Sequence, residues 1–333
     1  MNNWPPHGLH RIAGAAYKII LVSCVLWCLG LAWFGMGSVI GFVATAAGLG
    51  ILMAILAARL RGRAGRWAAV LAVPGCALLL SVALLRPSNE RTWAFDAAQL
   101  PWADIQGDTV TLHNYRNFEW TAADRAVERW ETKTVQLSRL RAVDFGMVYW
   151  GSPHICHTLL TFDFGADGFV CASIEARREQ GEAYSPLAGI FRKYEVCYVL
   201  GDERDILRLR TNVRGEDVYL IRLTATPEAA RSLFLDYSKS MGSLRTDPQW
   251  YHSFATNCTT LLRRHELRLQ PGSPWSWRLI ANGHLDGYLY DRGYVAHTLP
   301  LAELKRRSAV SAAALLAPAE EFSQAIRAGR PGF

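Results

Sequence analysis

Hydrophobic positions along this chain follow two patterns. Residues 19–58 form one apolar run without a charged side chain. That run is about twice the ~20 residues one membrane-spanning helix needs. Gly35-Met36-Gly37-Ser38 supplies a break in its middle. Trp67–Leu85 is a second uncharged stretch, ended by Arg86-Pro87. Pro74 and Gly75 inside it are tolerated in a membrane helix. The pattern predicts three transmembrane helices over 19–86, after an N-terminal segment 1–18. The region is too long for a signal peptide, and no small-residue cleavage site leads into a charged mature start.

Beyond residue 87 the apolar positions alternate. Thr109–Leu112, Phe145–Trp150, 157–164 and 169–175 read as strands. The last two are separated by Gly165-Ala166-Asp167-Gly168, a hairpin signal. Cys197–Leu200, Ile206–Arg210 and Val218–Leu223 continue the sheet, while the charged stretch 119–141 is expected to pack across the surface. Thr226-Pro227-Glu228 opens a helix to about Met241: threonine caps, proline suits the first position, and glutamate suits the positive end. A second helix starts near Asn257 and stops by Leu269, before Pro271-Gly272. A short one is expected between Pro318 and Phe333. Repeats and long linkers are absent. The fold class is α+β, and residues 87–333 suffice for one domain.

The 333 residues carry a formal charge of +7. Arg59, Arg61, Arg63 and Arg66 place the loop between the second and third spans in the cytoplasm, with Arg11 and Lys18 on the same side. Residues 87–333 then lie outside the cytoplasm; a two-span hairpin would reverse the sides. Helix-turn-helix, zinc-finger and RNP patterns are missing, so nucleic acid is not an expected partner. The surplus charge suits an anionic bilayer better.

Seven cysteines occur. Cys24, Cys28 and Cys76 fall in the apolar segments. Cys156, Cys171, Cys197 and Cys258 lie outside them without CxxC spacing, which argues against structural zinc. An oxidising compartment permits a disulfide between two of Cys156, Cys171 and Cys197.

The chemistry centres on Cys258 and His157. Cys258 sits in Thr256-Asn257-Cys258-Thr259, at a predicted helix start, and His157 opens a predicted strand. A helix N-terminus and a nearby imidazolium both favour the thiolate, and the histidine can protonate a leaving group. A buried core cysteine and a strand histidine bonded to backbone are the ordinary alternatives. Glu175 either orients the histidine or pairs with Arg177 or Arg192. His154 is open to three roles: working histidine, metal ligand or loop residue. Without a motif such as HExxH, metal has little support. Arg177 and Arg178 read as a phosphate site or a solvated face. An oxyanion would need donors, for which the Cys258 amide, Asn257 and Tyr149 are candidates.

Several segments together resemble the Lnb N-terminal periplasmic domain family (DUF4105). They are Asn114-Tyr115-Arg116-Asn117-Phe118, Tyr149–Thr158, Ser173–Glu179, Asp202-Glu203-Arg204-Asp205 and Thr256-Asn257-Cys258-Thr259, covering about 114–267. The resemblance implies a circularly permuted NlpC/P60 (papain-like) fold with the histidine strand ahead of the cysteine helix. It also implies lipoprotein N-acyltransfer: an acyl chain leaves a diacylglyceryl group, rests on Cys258 as a thioester, and moves to the amine of the lipidated N-terminal cysteine, with His157 as base and then acid. Glu175 as orienter is a weaker assignment from the residues themselves.

The expected setting is the bacterial inner membrane, with the N-terminus cytoplasmic and the catalytic domain periplasmic. Membrane lipids and lipidated proteins are the expected substrates, and neither cofactor nor metal is called for. Trp275 and Trp277, with Leu279, Ile280, Tyr288 and Tyr290, either enter the membrane interface or close the core. His154, Arg177 and Arg178 complete the candidate substrate contacts. Competing readings are a wall peptide or amide hydrolase, a phospholipid acyl hydrolase, and a binding protein that retains a relic pair. A wall hydrolase would more often carry wall-binding modules or a long linker.

Overall fold

A computed structural model describes residues 85–333 and scattered positions between 19 and 50. The predicted spans therefore lie almost wholly outside the described residues. Among the described residues no helix is long and apolar enough to cross a membrane. The chain divides into two compact units, Met1–Ser88 with Tyr184–Tyr194, and Asn89–Ala183 with Glu195–Phe333. In the first, Phe191 packs against the rings of Trp27 and Phe34. The second holds all the chemistry.

Its centre is an eight-stranded sheet in the order β1-β2-β9-β8-β7-β6-β10, with β5 also pairing β2. The strands are β1 (Trp102–Gln106), β2 (Thr109–Arg116), β5 (Trp130–Gln136), β6 (Ala142–Tyr149), β7 (Cys156–Asp163), β8 (Phe169–Arg177), β9 (Glu195–Gly201) and β10 (Asp217–Arg222). A two-stranded sheet joins β3 (Glu119–Ala122) to β4 (Arg125–Val127). Pairing is antiparallel except where β2 meets β9 at Arg116↔Gly201. A Cβ on Gly201 would stand 2.4 Å from the Arg116 carbonyl oxygen, so this approach requires glycine. The stretch 119–141, expected as surface packing, is largely strand.

Two helices begin as their sequences predict. Thr226 accepts from the Ala229 amide at the start of α2 (Pro227–Ser243), and Asn257 caps α3 (Cys258–Leu269). Phe162 and Phe164 on β7 and its exit meet Phe234 of α2, and Tyr198 of β9 meets Tyr237. A second core gathers Leu159, Cys171, Val199 and Leu220 from the sheet with Leu207, Val310, Phe322 and Ile326. Apolar burial on this scale supplies most of the folding drive.

One predicted strand is a helix. Ile206–Arg210 falls in α1 (Glu203–Arg208) and a π-helical turn, Leu209–Val213. Asp202 caps α1 through the Arg204 amide. Buried Asp205 then holds Arg116 through two bonds of 2.8 Å, and buried Glu203 holds Arg327, which also binds Asp144. These long-range ion pairs outweigh the local alternation that suggested a strand. The C-terminal part supplies α4 (Leu285–Asp291), α5 (Leu301–Arg307), α6 (Ser311–Leu316) and α7 (Phe322–Ala325), where the sequence suggested one short helix.

Candidate active site

The sheet register assembles half of the site. β7 pairs β6 with His157 opposite Val148, and pairs β8 only as far as Leu159↔Ser173. Ser173 and Glu175, two apart on a strand, share a face. His157 Nε2 lies 2.6 Å from Ser173 Oγ and 3.2 Å from Glu175 Oε1, and Ser173 Oγ donates to the same Oε1 at 2.7 Å. Arg210, on the π-helical turn, donates to Glu175 at 3.0 Å and also pairs with Glu216. Glu175 is therefore paired with Arg210, not with Arg177.

α3 supplies the other half. Cys258 is its first residue, and the thiol is buried. The cap is reciprocal: Asn257 Oδ1 accepts from the Thr260 amide at 2.9 Å, while Thr260 Oγ1 accepts from the Asn257 amide at 2.8 Å. Helical geometry leaves the Cys258 and Thr259 amides without partners inside the helix. Those N–H groups stand at the positive end of the helix, where a negative charge is favoured.

Burial acts first on the pair, raising the Cys258 thiol and lowering the His157 imidazolium. Their mutual attraction overrides it. His157, with help from the Thr158 amide, brings Cys258 down to about 7. Glu175 and the thiolate together hold His157 up at about 9. Glu175 itself is pushed well below the ordinary carboxylate range by His157 and Arg210. With Nε2 engaged by Ser173 and Glu175, Nδ1 is the nitrogen left for sulfur. The shifts favour the thiolate and the imidazolium together, a combination that can serve as nucleophile and general acid. The Thr158 hydroxyl, buried without an ordinary hydrogen-bond partner, also faces the sulfur.

A residue absent from the sequence reading joins the halves. Asn282 is buried; its Oδ1 accepts from the Cys156 amide at 2.8 Å, and its Nδ2 donates to the Cys156 carbonyl at 2.7 Å and to Thr259 Oγ1 at 2.8 Å. It thus ties the residue before His157 to the residue after Cys258. Gly283 presses against the same loop, where a Cβ would stand 2.3 Å from the Pro153 carbonyl oxygen. Asn282-Gly283 carries no helix, strand or charge signal, so only the fold reveals its place. Ser173 and Arg210 were likewise unmarked.

Other candidates fall elsewhere. Asn257 turns its amide into the cap and toward the Ser253 carbonyl, so it holds the helix start and is not an oxyanion donor. The Tyr149 hydroxyl donates to the Gly283 carbonyl at 2.6 Å and accepts from Lys305, which removes it from that role too. Arg177 is buried, donates to the Ala97 and Ala98 carbonyls and lies over the Trp93 ring. Arg178 pairs with Asp96. Neither arginine is a phosphate site, because structural partners occupy both. His154 sits at the exposed rim, its Nδ1 3.0 Å from Nε2 of His284. Trp275 and Trp277 are exposed, whereas Leu279 and Tyr288 close the core. Cys156, Cys171 and Cys197 are free thiols, so the permitted disulfide does not form. Among the described residues no three His, Cys, Asp or Glu side chains gather as a metal site. A cavity of about 410 Å³ beside Phe118, Trp120 and the π-helical turn includes none of the reacting groups.

Residues 126–283 match the family model of the Lnb N-terminal periplasmic domain. This stretch, a little under half of the chain, is similar to that family. The match runs from before the His157 strand through α3 and ends at Gly283, so it takes in the whole Cys258–His157–Glu175 cluster and the Asn282 tie. The family is described as a periplasmic domain, which supports a periplasmic setting for this part of the chain. No curated protein and no solved structure matches the chain.

Proposed function

We propose that this protein is a membrane-tethered, cysteine-dependent acyltransferase acting on lipoproteins. The observation that carries the reading is the buried Cys258–His157 pair inside the Lnb-like stretch, poised as thiolate and imidazolium. Cys258 sulfur attacks the ester carbonyl of a diacylglyceryl group. The tetrahedral oxyanion is met by the Cys258 and Thr259 amides. As the C–O bond breaks, His157 gives its proton to the departing glycerol oxygen, and a thioester remains. The N-terminal amine of a lipoprotein then attacks that carbonyl and passes a proton to His157. An amide forms, the C–S bond breaks and the thiolate returns. Glu175, directly and through Ser173, holds the ring oriented and stabilises its charged form.

The permuted NlpC/P60 architecture fits the observed order of histidine strand before cysteine helix. The three-span anchor of 19–86 is part of the proposal, with its N-terminus cytoplasmic and the catalytic domain periplasmic. Intact-mass analysis tests the chemistry: wild-type protein and Cys258→Ala are incubated with diacylated lipoprotein in membranes. A hydroxylamine-labile adduct of fatty-acyl mass on wild type alone, with an acyl group gained at the lipoprotein amine, is expected. A lipoprotein unchanged by the wild type overturns the reading.

A further inference from the structure

Exposed aromatic side chains concentrate around this site. Among the described residues of 89–333 three tryptophans are exposed, and Trp150, Trp275 and Trp277 all flank it. Ile155, Phe254 and Ile280 join them, each more than half exposed. All six belong to three segments that build the site. Residues 150–155 lead into the His157 strand, 252–256 lead into the Cys258 helix, and 273–284 carry Asn282. The Gly283 amide donates to the His154 carbonyl at 3.0 Å, which ties the first segment to the third, and Asn257 holds the Ser253 carbonyl, which ties the second to the start of the Cys258 helix. The six exposed side chains thus form an apolar rim bordering the site.

An exposed cluster of this kind marks a contact surface. The rim's composition selects the partner. The three segments contain neither Asp nor Glu, and their one arginine, Arg278, is paired with Asp291 just beyond them. A surface of tryptophan and aliphatic side chains without carboxylates suits the headgroup layer of a bilayer, and the chain's formal charge of +7 favours an anionic one. The same chain carries the uncharged run 19–58, which brings a membrane within reach. We propose that this rim seats on an anionic lipid bilayer, with the Cys258 site facing the upper acyl chains. The inference deepens the acyl-transfer reading and rests on it for the identity of the reacting lipid.

The test uses the full chain reconstituted in vesicles of phosphatidylglycerol and phosphatidylcholine, the latter plain or brominated high on its acyl chains. Emission of wild type minus that of the triple variant Trp150→Ser, Trp275→Ser, Trp277→Ser isolates the rim tryptophans. That difference is expected to lose half or more of its intensity in brominated vesicles. Equal intensity in both lipids overturns the proposal, as would a rim covered by a protein partner. Trp275→Ser alone, at the most exposed of the three positions, gives the same comparison should the triple variant fold poorly. With diacylated lipoprotein added to the same vesicles, quenching without acyl transfer retains the docking surface and removes the enzymatic reading; acyl transfer without quenching removes the surface alone.

Discussion

Two buried histidines in this protein each contact a carboxylate and carry opposite charge states. His157 touches Glu175 and is held up at about 9. His265, on the same helix as Cys258, has Nδ1 2.6 Å from Asp236 and Nε2 2.8 Å from the Tyr198 hydroxyl, yet is pushed down to about 4. Burial disfavours the cation at both sites. The rest of the neighbourhood decides. His157 faces two acids, Glu175 and the Cys258 thiol. His265 shares its one acid with Arg268, whose Nε binds both Asp236 oxygens, and it stacks on Tyr237 at 3.9 Å. A carboxylate contact alone therefore does not identify a charged histidine; the count of charges around it does. One ring is built to hold a mobile proton, the other to pack.

Replacing the working ring gives the largest effect. His157→Ala should lower the acylation rate about 10²–10⁴-fold and raise the Cys258 thiol to the ordinary value of about 8.5 or above it, since burial then acts without the imidazolium. Single-turnover acylation and the pH dependence of iodoacetamide labelling measure the two. An unchanged labelling profile would remove His157 as the source of thiolate stability.

Asn282→Ala comes next. It strips three hydrogen bonds and leaves the Cys156 amide and carbonyl unpaired in a buried place, at about 1–3 kcal/mol for each group left unsatisfied. Melting temperature should fall, and acylation should fall further than in an equally destabilised variant remote from the site. Equal losses would reduce Asn282 to a packing role.

Glu175→Gln sharpens the comparison by removing one of the two acids at His157. The wild-type rate should rise as pH climbs through about 7, where the thiolate forms, and fall through about 9, where the imidazolium loses its proton. These limbs belong to the pair jointly. In the variant the upper limb should move down while the lower limb does not rise, narrowing the window from its alkaline side. A profile of unchanged width would exclude Glu175 from the proton chemistry.

The smallest effect concerns His265. Its pKa is depressed on folding, so between about 4 and 6.5 the unfolded chain binds the extra proton, and stability falls as pH drops through that window. From pH 6.5 to 5 the loss is about 2 kcal/mol. Melting temperatures at the two pH values should converge in His265→Phe. A fall as steep as wild type would assign the acid sensitivity to other groups.

The sequence made the candidate pair legible because its signals are local: a cysteine after a capping asparagine, and a histidine opening an alternating run before a glycine-rich turn. Hairpin and helix starts were legible for the same reason. What joins the halves was not. Asn282 lies in Ala-Asn-Gly-His, a segment without periodicity, and its partners are about 126 and 23 positions away. Arg210 was read as part of a strand because Ile206–Arg210 alternates, whereas distant Arg116 and Arg327 fix that segment as helix by pairing with its acids. Arg177 and Arg178 looked like ligand contacts because two adjacent cations give no sign of the carbonyls and carboxylate that occupy them.

The tie made by Asn282 also sets an order of assembly. Translation runs from the N-terminus, so the strand bearing His157 and the helix bearing Cys258 both leave the ribosome before the side chain that clamps them. A nascent chain that ends at α3 holds Cys258, His157 and Glu175 without the side chain that ties their elements together. The geometry of the cluster is thus completed only by residues that emerge after both of its halves.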